Sequence, residues 1–459
     1  MLANAINWFI GLGSTVFIPI IIIILGLIVK VKPSKAIIAG ITVGIGFIGL
    51  SMVTGFLTET LSPAITLMVE RYNLSLSIMD IGSGTAGPCS FSTVLGVIVI
   101  PMAFAINLLL IWLGCTKTLN VDVWNLWQPA LIGIMVWGLT KSLWIGILAM
   151  VPAFLIELLL ADVFQPTLSK FFGFPGIAIT HVMALSGMVL AKPMDWIFDK
   201  IPGLNKLDAD PEKIQEKFGL LGDPIMIGFL IGCIIAIFAG YGFGETLTLG
   251  IEMAAVLKIL PKMVSLFMEG LSPIADGVQA FAQKYMHNKQ VNIGMDAALI
   301  AGNPYVMATS LLLIPITLFI AVILPGNKVL PFGDLPTLVF ALACLVAVFK
   351  GNLVRSILGC SIYTISMLYL ATWLAPYLTT AYQLAGYNVG SGIITYVSAG
   401  LWPNALMVFI AKVFSVPGLL IITAILLGLL VYVNKIRPAR ATKAVENEES
   451  ELEMALQSE

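Results

Sequence analysis

The sequence predicts an all-α membrane protein that crosses the bilayer about eleven times, with two inverted repeats and two re-entrant hairpins. Of the 459 residues, 59% are hydrophobic and 11% are charged, whereas soluble domains carry about 25% charged residues. A span needs about 20 apolar residues, so this length allows about eleven spans with their loops. The composition excludes a soluble enzyme, a disordered chain and a nucleic-acid-binding protein.

The first hydrophobic stretch is expected to remain in the chain as a span. It carries no charge before Lys30, and a cleaved signal peptide would begin with a basic region. The chain has two histidines and five cysteines, and none of the cysteines forms a CxxC pair. We therefore expect the cysteines to be small core residues, and we expect neither a metal nor another cofactor.

Four short motifs occur twice in the same order, which predicts an internal duplication. Residues 59–63 match 269–273, Met79-Asp80 matches Met295-Asp296, Ile100-Pro101 matches Ile314-Pro315, and Asp122 matches Asp334. The predicted organisation is a first repeat at 1–160, a connecting span and cytoplasmic loop at 161–222, a second repeat at 223–377, C-terminal spans at 378–434 and a cytoplasmic tail at 435–459.

The distribution of basic residues predicts that the two repeats are inverted in the membrane. Lys30, Lys32 and Lys35 lie between the first two spans, whereas the equivalent turn at 241–246 contains no Lys or Arg. The opposite holds after the second span, where residues 258–289 are basic and residues 58–80 contain only one Arg. Because Lys and Arg mark the cytoplasmic side, the N-terminus is expected outside and the C-terminus inside.

Two pairs of short apolar runs predict the re-entrant hairpins. Leu126–Leu139 is followed by a break at 140–142, and Leu335–Phe349 by a break at 350–352. Both runs are short for a full crossing, and paired interruptions of this kind point to the binding site of a transporter. Residues 62–73 and 272–285 are predicted to be separate amphipathic arms that start at Ser-Pro pairs, and a short helix is predicted at 211–218.

Several motifs carry a family resemblance. They are residues 120–127 (Asn-Val-Asp-Val-Trp-Asn-Leu-Trp), 330–335 (Leu-Pro-Phe-Gly-Asp-Leu), 351–355 (Gly-Asn-Leu-Val-Arg), 201–205 and 217–219. Together they resemble the galactitol-specific membrane component, IIC, of the bacterial phosphoenolpyruvate sugar phosphotransferase system. The resemblance covers nearly the whole chain apart from the C-terminal tail.

This resemblance implies a homodimer in the bacterial inner membrane, surrounded by lipid, without a nucleic-acid partner. Each protomer would carry both hairpins in a core domain that moves like an elevator against a second domain at the dimer interface. A polyol or sugar would enter from outside and be phosphorylated by a separate phosphocysteine protein, IIB, with IIA upstream of it. No cysteine here lies in an electropositive loop, so this subunit is expected to have no phosphorylated residue of its own.

Candidate binding residues follow from the chemistry of a hexitol, which is neutral and rich in hydroxyls and therefore needs hydrogen-bond donors and acceptors. Asp296 and its repeat equivalent Asp80 are expected either to accept from hydroxyls or to cap helices. Asn303 is expected to donate to the substrate or to cap the following span. For Asp122 and Asp334, which precede the hairpins, a helix cap is favoured over substrate binding.

Four further candidates complete the predicted site. Thr140 and Asn352 place small polar side chains in the hairpin breaks. His181 lies within an apolar run, where an ionisable residue is a functional candidate, and the resemblance implies a matching histidine. Trp127 is expected to stack on the C–H edges of a sugar or to join the aromatic belt at the membrane interface.

A second function remains open, an ion-coupled secondary transporter of a polar solute that uses the same duplicated fold. In that case Asp80, Asp296 and His181 would supply a proton relay. Within the phosphotransferase system, ascorbate and pentitols are open alternatives to galactitol. Dependence of uptake on phosphoenolpyruvate and the cytosolic partners distinguishes a permease of this system from an ion-coupled carrier.

Overall fold

A computed structural model gives the structure of residues 14–72, 78–122, 124–204, 224–285, 291–331, 334–387, 389 and 392–438. These residues are mostly helical, as predicted. The helices are α1 (Ser14–Ile28), α2 (Pro33–Arg71), α3 (Ala86–Phe91), α4 (Val94–Trp112), α5 (Trp127–Thr140), α6 (Leu143–Phe172), α7 (Val182–Leu185), α8 (Met188–Phe198), α9 (Pro224–Ala239), α10 (Phe243–Tyr285), α11 (Ala298–Ala301), α12 (Pro304–Ile323), α13 (Leu338–Val348), α14 (Leu353–Leu384) and α15 (Trp402–Val431). Among them, α4, α6, α12, α14 and α15 are long and apolar enough to cross a membrane.

The two longest helices, α2 and α10, pack against each other and are antiparallel. Gly49 of α2 lies against Met263 of α10, whereas Gly270 lies against the backbone of Ala39 and Val43, earlier in α2. Helix α1 packs on α2, and α9 packs on α10. We call these four helices the scaffold.

The predicted amphipathic arms are continuous with the scaffold helices, so the prediction that a helix starts at each Ser-Pro pair is wrong. Pro63 lies inside α2, and Pro273 lies within the range of α10. A proline inside a helix removes one backbone hydrogen bond and costs about 3 kcal/mol. Tertiary packing offsets this cost in α10, whose Gly277 lies against Val31 beside α2. The helix predicted at 211–218 lies outside the described residues.

The breaks predicted at 140–142 and 350–352 are turns between helices. Helix α5 meets α6 at Lys141, and α13 meets α14 after Lys350 and Gly351. All three residues have positive φ, with values of 58°, 55° and 76°. This left-handed backbone ends one helix and lets the chain reverse. Helices α5 and α6 then pack side by side.

Five short strands are a departure from the all-α expectation. They are β1 (Ile78–Asp80), β2 (Thr118–Asn120), β3 (Ile177–Ile179), β4 (Asn292–Met295) and β5 (Ile393–Thr395). The strands form two parallel sheets, in the orders β2-β4-β3 and β1-β5. Backbone groups inside a membrane protein need partners, and strands from distant parts of the chain supply them here. Segments of three or four residues are too short to show a strand pattern in the sequence.

The order of elements occurs twice along the chain. A scaffold pair is followed by a strand, a short helix, a long helix, an extended segment, a half-length helix, a long helix and another strand. In the first copy this order runs from α1 to β3, and in the second from α9 to β5. Helix α15 then bends sharply at Ser415, which has φ 49° and ψ −137°, and it ends in a π-helical turn at Tyr432–Ile436.

Candidate functional site

The best-defined polar site lies where the strands of the three-stranded sheet end. Asp122, His181 and Asp296 follow β2, β3 and β4 closely, and these three strands are parallel and adjacent. Their carboxyl ends therefore meet at one edge of the sheet. We call the polar set at this edge the three-strand cluster. Its members are Asn120, Asp122, Asn125, Trp127, Gln128, Glu157, Thr180, His181 and Asp296.

His181 is at the centre of this cluster and is 5% exposed. Its Nδ1 lies 3.5 Å from Oδ2 of Asp296. The two groups are therefore neighbours, but their geometry is not that of a hydrogen bond. Neither ring nitrogen of His181 makes a hydrogen bond. The ring of Trp127 stands edge-on to the imidazole, with the ring centroids 6.4 Å apart. Trp127 is itself only 5% exposed, so it does not belong to an interfacial aromatic belt.

Asn120 connects the elements of the cluster. Its side-chain nitrogen donates to Oε1 of Glu157, and its Oδ1 accepts from the hydroxyl of Thr180 at 3.2 Å and from the backbone N–H of Asp122 at 3.0 Å. Its own backbone N–H donates to Oδ1 of Asn107 at 2.9 Å. The end of β2 is thereby fixed to α4, α6 and the segment that follows β3.

Two amides lie beside these groups. Oε1 of Gln128 accepts from the backbone N–H of Met183 at 3.2 Å, and Nδ2 of Asn125 donates to Oδ2 of Asp122 at 2.8 Å. The backbone N–H of Asn125 also donates to Oδ1 of Asp122, at 3.4 Å. Asp122 therefore caps the turn before α5, which agrees with the favoured interpretation from the sequence.

Five buried polar atoms of the cluster have no hydrogen-bond partner within the part of the chain that the structure describes. They are Asn125 Oδ1, Gln128 Nε2, Glu157 Oε2, His181 Nδ1 and His181 Nε2. An unpaired buried donor or acceptor costs about 1–3 kcal/mol, so such a concentration is unusual in a folded protein. The set contains donors and acceptors, which suits a ligand that carries hydroxyl groups.

A second polar set lies where β1 and β5 end, and we call it the two-strand cluster. Its members are Asp80, Ser83, Asp334, Thr337, Tyr396 and Ser398. Asp334 is fully buried and accepts from the backbone N–H of Ser83 at 2.8 Å and of Ser398 at 2.7 Å. The hydroxyl of Thr337 donates to the same carboxylate at 2.8 Å. Asp334 thus joins three separate segments, which is a structural role.

Asp80 and Asp296 have equivalent local geometry in the two clusters. Oδ1 of Asp80 accepts from the backbone N–H of Gly82, and Oδ1 of Asp296 accepts from that of Ala298. The second oxygen of Asp80 has no partner, whereas that of Asp296 faces His181. Among the described residues, the hydroxyls of Tyr396 and Ser398 also have no hydrogen-bond partner.

The remaining candidates act as local caps or bond within their own helices. Oδ1 of Asn303 accepts from Tyr305 N–H at the start of α12, and Oδ1 of Asn352 accepts from Arg355 N–H at the start of α14. The hydroxyl of Thr140 donates to the carbonyl of Val136. Helix α5 has 14 residues and is therefore about 20 Å long. The start of α5 belongs to the three-strand cluster, and Thr140 is at the other end of this helix. Thr140 is therefore a helix length away from the cluster.

Sequence reasoning missed five members of the three-strand cluster, Asn120, Asn125, Gln128, Glu157 and Thr180, as binding candidates. Glu157 had a usable signal, because it is the only charged residue between Leu143 and Leu160 and an ionisable residue inside a span is a functional candidate. Asn120 and Asn125 lie in a motif that carried the family resemblance, and Gln128 directly follows it, but nothing in their spacing showed which of them face a site.

Comparisons with known proteins identify the family of the chain. A family model described as "PTS system sugar-specific permease component" matches residues 8–392. A protein of Escherichia coli K12, provisionally named a permease IIC component, is 39% identical over 86% of this chain and 91% of its own length. The PTS galactitol-specific EIIC components of E. coli K12 and O157:H7 are each 34% identical over 93% of this chain and 95% of their own length.

Proposed function

Because the chain belongs to the family of sugar-specific permease components of the phosphotransferase system, we propose that it carries a galactitol-type polyol across the membrane and that the three-strand cluster binds this solute. The observation that carries the proposal is the set of five unpartnered polar atoms on Asn125, Gln128, Glu157 and His181. Hydroxyl groups of a polyol would satisfy them, since each hydroxyl both donates and accepts.

The chemistry of the cluster favours a neutral solute over an ion. Carboxylate oxygens of Asp296 and Glu157 accept from hydroxyls, and an amide of Gln128 donates to them. The buried ring of Trp127 supplies an apolar wall next to His181. Galactitol is the preferred member of the class because two relatives of 34% identity are named for it.

The strand pairings support an inverted topology. Strands β2, β3 and β4 are parallel neighbours, so their first residues lie together. Helices α4, α6 and α10 end shortly before these strands, and their ends therefore lie together as well. We call this end of the molecule the inner end. By the same argument β1, β5 and the bridge at Val329 bring the ends of α2, α14 and α12 together at the outer end. Helices α2 and α10 are antiparallel, so the two ends are opposite.

This arrangement supports eleven crossings and two half-crossings. The seven crossings by helix alone are α1, α2, α6, α9, α10, α14 and the part of α15 after Ser415. In the other four a strand or extended segment continues into a helix, at β1–α4, β2–α5, β4–α12 and Val329–α13. In place of the re-entrant hairpins predicted around the breaks at 140–142 and 350–352, we assign the half-crossings to β3–α8 and to β5 with residues 402–414. The first assignment is supported by Arg355 at the inner start of α14, which binds Asp195 and Asp199 at the end of α8. The two repeats then extend to about residues 198 and 414.

Basic residues support an inner end that faces the cytoplasm. The inner end carries Lys30, Lys32, Lys35, Lys117, Lys170, Lys200, Lys284, Lys350, Arg355, Lys435 and Arg437, whereas the outer end carries Arg71, Lys141, Lys328 and Lys412. The N-terminus is therefore proposed outside and the C-terminus inside.

Movement and partners follow from the division into scaffold and core. The scaffold helices pack chiefly on one another, so the core that holds the three-strand cluster is proposed to move against them in an elevator-like step. One side of α2 exposes Ile37, Ile41, Ile45, Ile48 and Met52, a stripe suited to lipid or to a second copy in a homodimer. Cys89, Cys115, Cys344 and Cys360 are buried, so a separate IIB phosphocysteine is proposed to phosphorylate the substrate.

Calorimetric titration of the purified full-length protein with galactitol tests the binding site. Asp296→Asn and Gln128→Leu are expected to weaken binding at least tenfold, because each removes hydrogen bonds to the substrate. Glu245→Gln, a matched change at an exposed residue, is the control and should bind like the wild type. Galactitol binding by both site variants at wild-type affinity would refute the proposed site.

Uptake into membrane vesicles tests the transport proposal. Accumulation of phosphorylated galactitol is expected only when phosphoenolpyruvate and the cytosolic IIA and IIB proteins are supplied. Uptake of unmodified galactitol that continues without them and stops when the proton gradient is removed would instead establish an ion-coupled carrier.

A further inference from the structure

A cavity of about 720 Å³ lies at the inner end of the molecule, at the opposite edge of the three-stranded sheet from the three-strand cluster. Lys117, Gly176 and Asn292 line it where β2, β3 and β4 begin. Each of these strands has three or four residues, so about 10 Å of sheet separates the cavity from the cluster. The same three strands thus connect two polar sites.

The cavity is large enough for a small metabolite and is lined by groups from several parts of the fold. Gln165 and Ser169 come from α6, Asp276 from the scaffold helix α10, and Asn434 and Arg437 from the C-terminal helix. Amide, hydroxyl and carboxylate groups of this kind hydrogen-bond to the hydroxyls of a polyol.

Asp162 holds the cationic part of the cavity in place. Its carboxylate accepts from the hydroxyls of Thr116 and Thr118, each at 2.7 Å, and from the backbone N–H of Lys117 at 3.2 Å. Nδ2 of Asn434 donates to the same carboxylate at 2.9 Å. The carboxylate of Asp162 therefore accepts from donors within the protein. It holds the backbone of Lys117 beside the turn that leads to Arg437.

The side chains of Lys117 and Arg437 face the cavity unpaired. Within the ranges that the structure describes, neither side chain forms an ion pair or a hydrogen bond. The two cations lie on separate elements, and arginine with its planar fork and lysine are residue types that bind phosphate groups. The neighbouring Gln165, Ser169 and Asn292 suit a polyhydroxylated remainder.

We propose that this cavity is a subsite for the phosphate ester of the transported polyol, which it holds at the cytoplasmic face after phosphorylation and before release. Lys117 and Arg437 bind the phosphate, and the polar side chains of α6 and β4 bind the hydroxyls. The proposal rests on the proposed function, because that function supplies the phosphorylated polyol and the cytoplasmic orientation of the inner end.

Titration of the full-length protein in phosphatidylcholine nanodiscs with galactitol 1-phosphate tests the subsite. Lys117→Gln and Arg437→Gln should each weaken binding of the ester at least tenfold and leave galactitol affinity unchanged. Lys435→Gln removes a nearby exposed cation that does not line the cavity and should leave both affinities unchanged. Equal affinity of all three variants for the ester would overturn the proposal.

Two further titrations separate the possible sources of a phosphate group. Inorganic phosphate should bind at least tenfold more weakly than the ester, because it lacks the hydroxyl contacts; equal affinity would mean a general anion site and overturn the proposal. Replacing phosphatidylcholine by phosphatidylglycerol should leave ester binding unchanged, whereas displacement of the ester would identify a lipid headgroup site. A wild-type protein that binds the ester but not galactitol would contradict the proposed function and leave this subsite supported.

Discussion

The three-strand and two-strand clusters occupy equivalent places in the two halves of the chain, yet their side chains differ in the groups they offer to a ligand. Asp122 and Asp334 correspond, but at the same offset of 212 residues Asn125 is matched by Thr337 and Gln128 by Phe340. The strand pairings place His181 at the position of Tyr396. Amides and the imidazole are thus concentrated in the three-strand cluster.

We propose from this difference that, of two equivalent sites, one serves mainly for structure and the other for binding. The backbone N–H groups of two other segments satisfy Asp334, so its charge stabilises the junction of β1 and β5. In the three-strand cluster a side-chain amide satisfies Asp122, while neighbouring groups remain unpartnered. The predictions below test this division, starting with the largest expected effect.

Asp334→Ala should destabilise the protein by about 3 kcal/mol or more, because it leaves the buried N–H groups of Ser83 and Ser398 without an acceptor. Thermal unfolding of the purified protein measures this effect. Asp296→Ala, at the other cluster, should lose only about 1 kcal/mol, because it removes one backbone hydrogen bond, from Ala298 N–H. Equal losses of stability in the two variants would remove the distinction between a structural and a binding cluster.

His181→Ala should lower galactitol affinity about 30-fold to 100-fold, which corresponds to the loss of about 2–3 kcal/mol of hydrogen bonding to polar groups. The matched variant in the two-strand cluster is Tyr396→Phe, which removes only a hydroxyl, and it should bind galactitol like the wild type. Calorimetry measures both affinities. A larger loss of galactitol affinity in Tyr396→Phe than in His181→Ala would show that the substrate binds at the two-strand cluster instead.

Glu157→Leu should weaken galactitol binding about tenfold, because it removes the acceptor that fixes Asn120 and leaves a buried amide unpaired, at a cost of about 1–3 kcal/mol. Glu157→Gln keeps a carbonyl oxygen of the same shape and should retain most of the affinity. If both variants lose binding equally, the negative charge of Glu157 matters more than its role as an acceptor.

Thr140→Ala and Asn352→Ala should leave galactitol affinity unchanged, since the structure places both side chains in local turns. Asn352→Ala should lower stability by about 1 kcal/mol through the loss of its helix cap. Affinity and unfolding temperature of the same preparations check the two statements together. A large loss of galactitol affinity in either variant would show that the turns at 140–142 and 350–352 belong to the binding site.

Much of the fold class was predictable from the sequence, because hydropathy and composition are local properties that a bilayer selects directly. The repeated motifs predicted an internal duplication, and the motifs at 120–127 and 351–355 identified the family that the comparisons confirm. His181 and Asp296 could be chosen as candidates because an ionisable group inside an apolar run needs a reason to be there.

Other features required the three-dimensional structure. The continuity of α2 through Pro63 depends on packing that outweighs a local helix-breaking signal. The strands β2, β3 and β4 come from three distant parts of the chain, so no local pattern shows that Asp122, His181 and Asp296 meet.

The sequence by itself determined that this protein lies in the membrane and that it belongs to this permease family, because these properties depend on residue types and short motifs. The tertiary structure decided which buried polar groups at the two clusters are satisfied within the protein and which lack a partner among the described residues. The physical reason is that hydrogen-bond satisfaction depends on the register between segments such as Asn120, Glu157 and Thr180, and register is fixed only when the segments pack together.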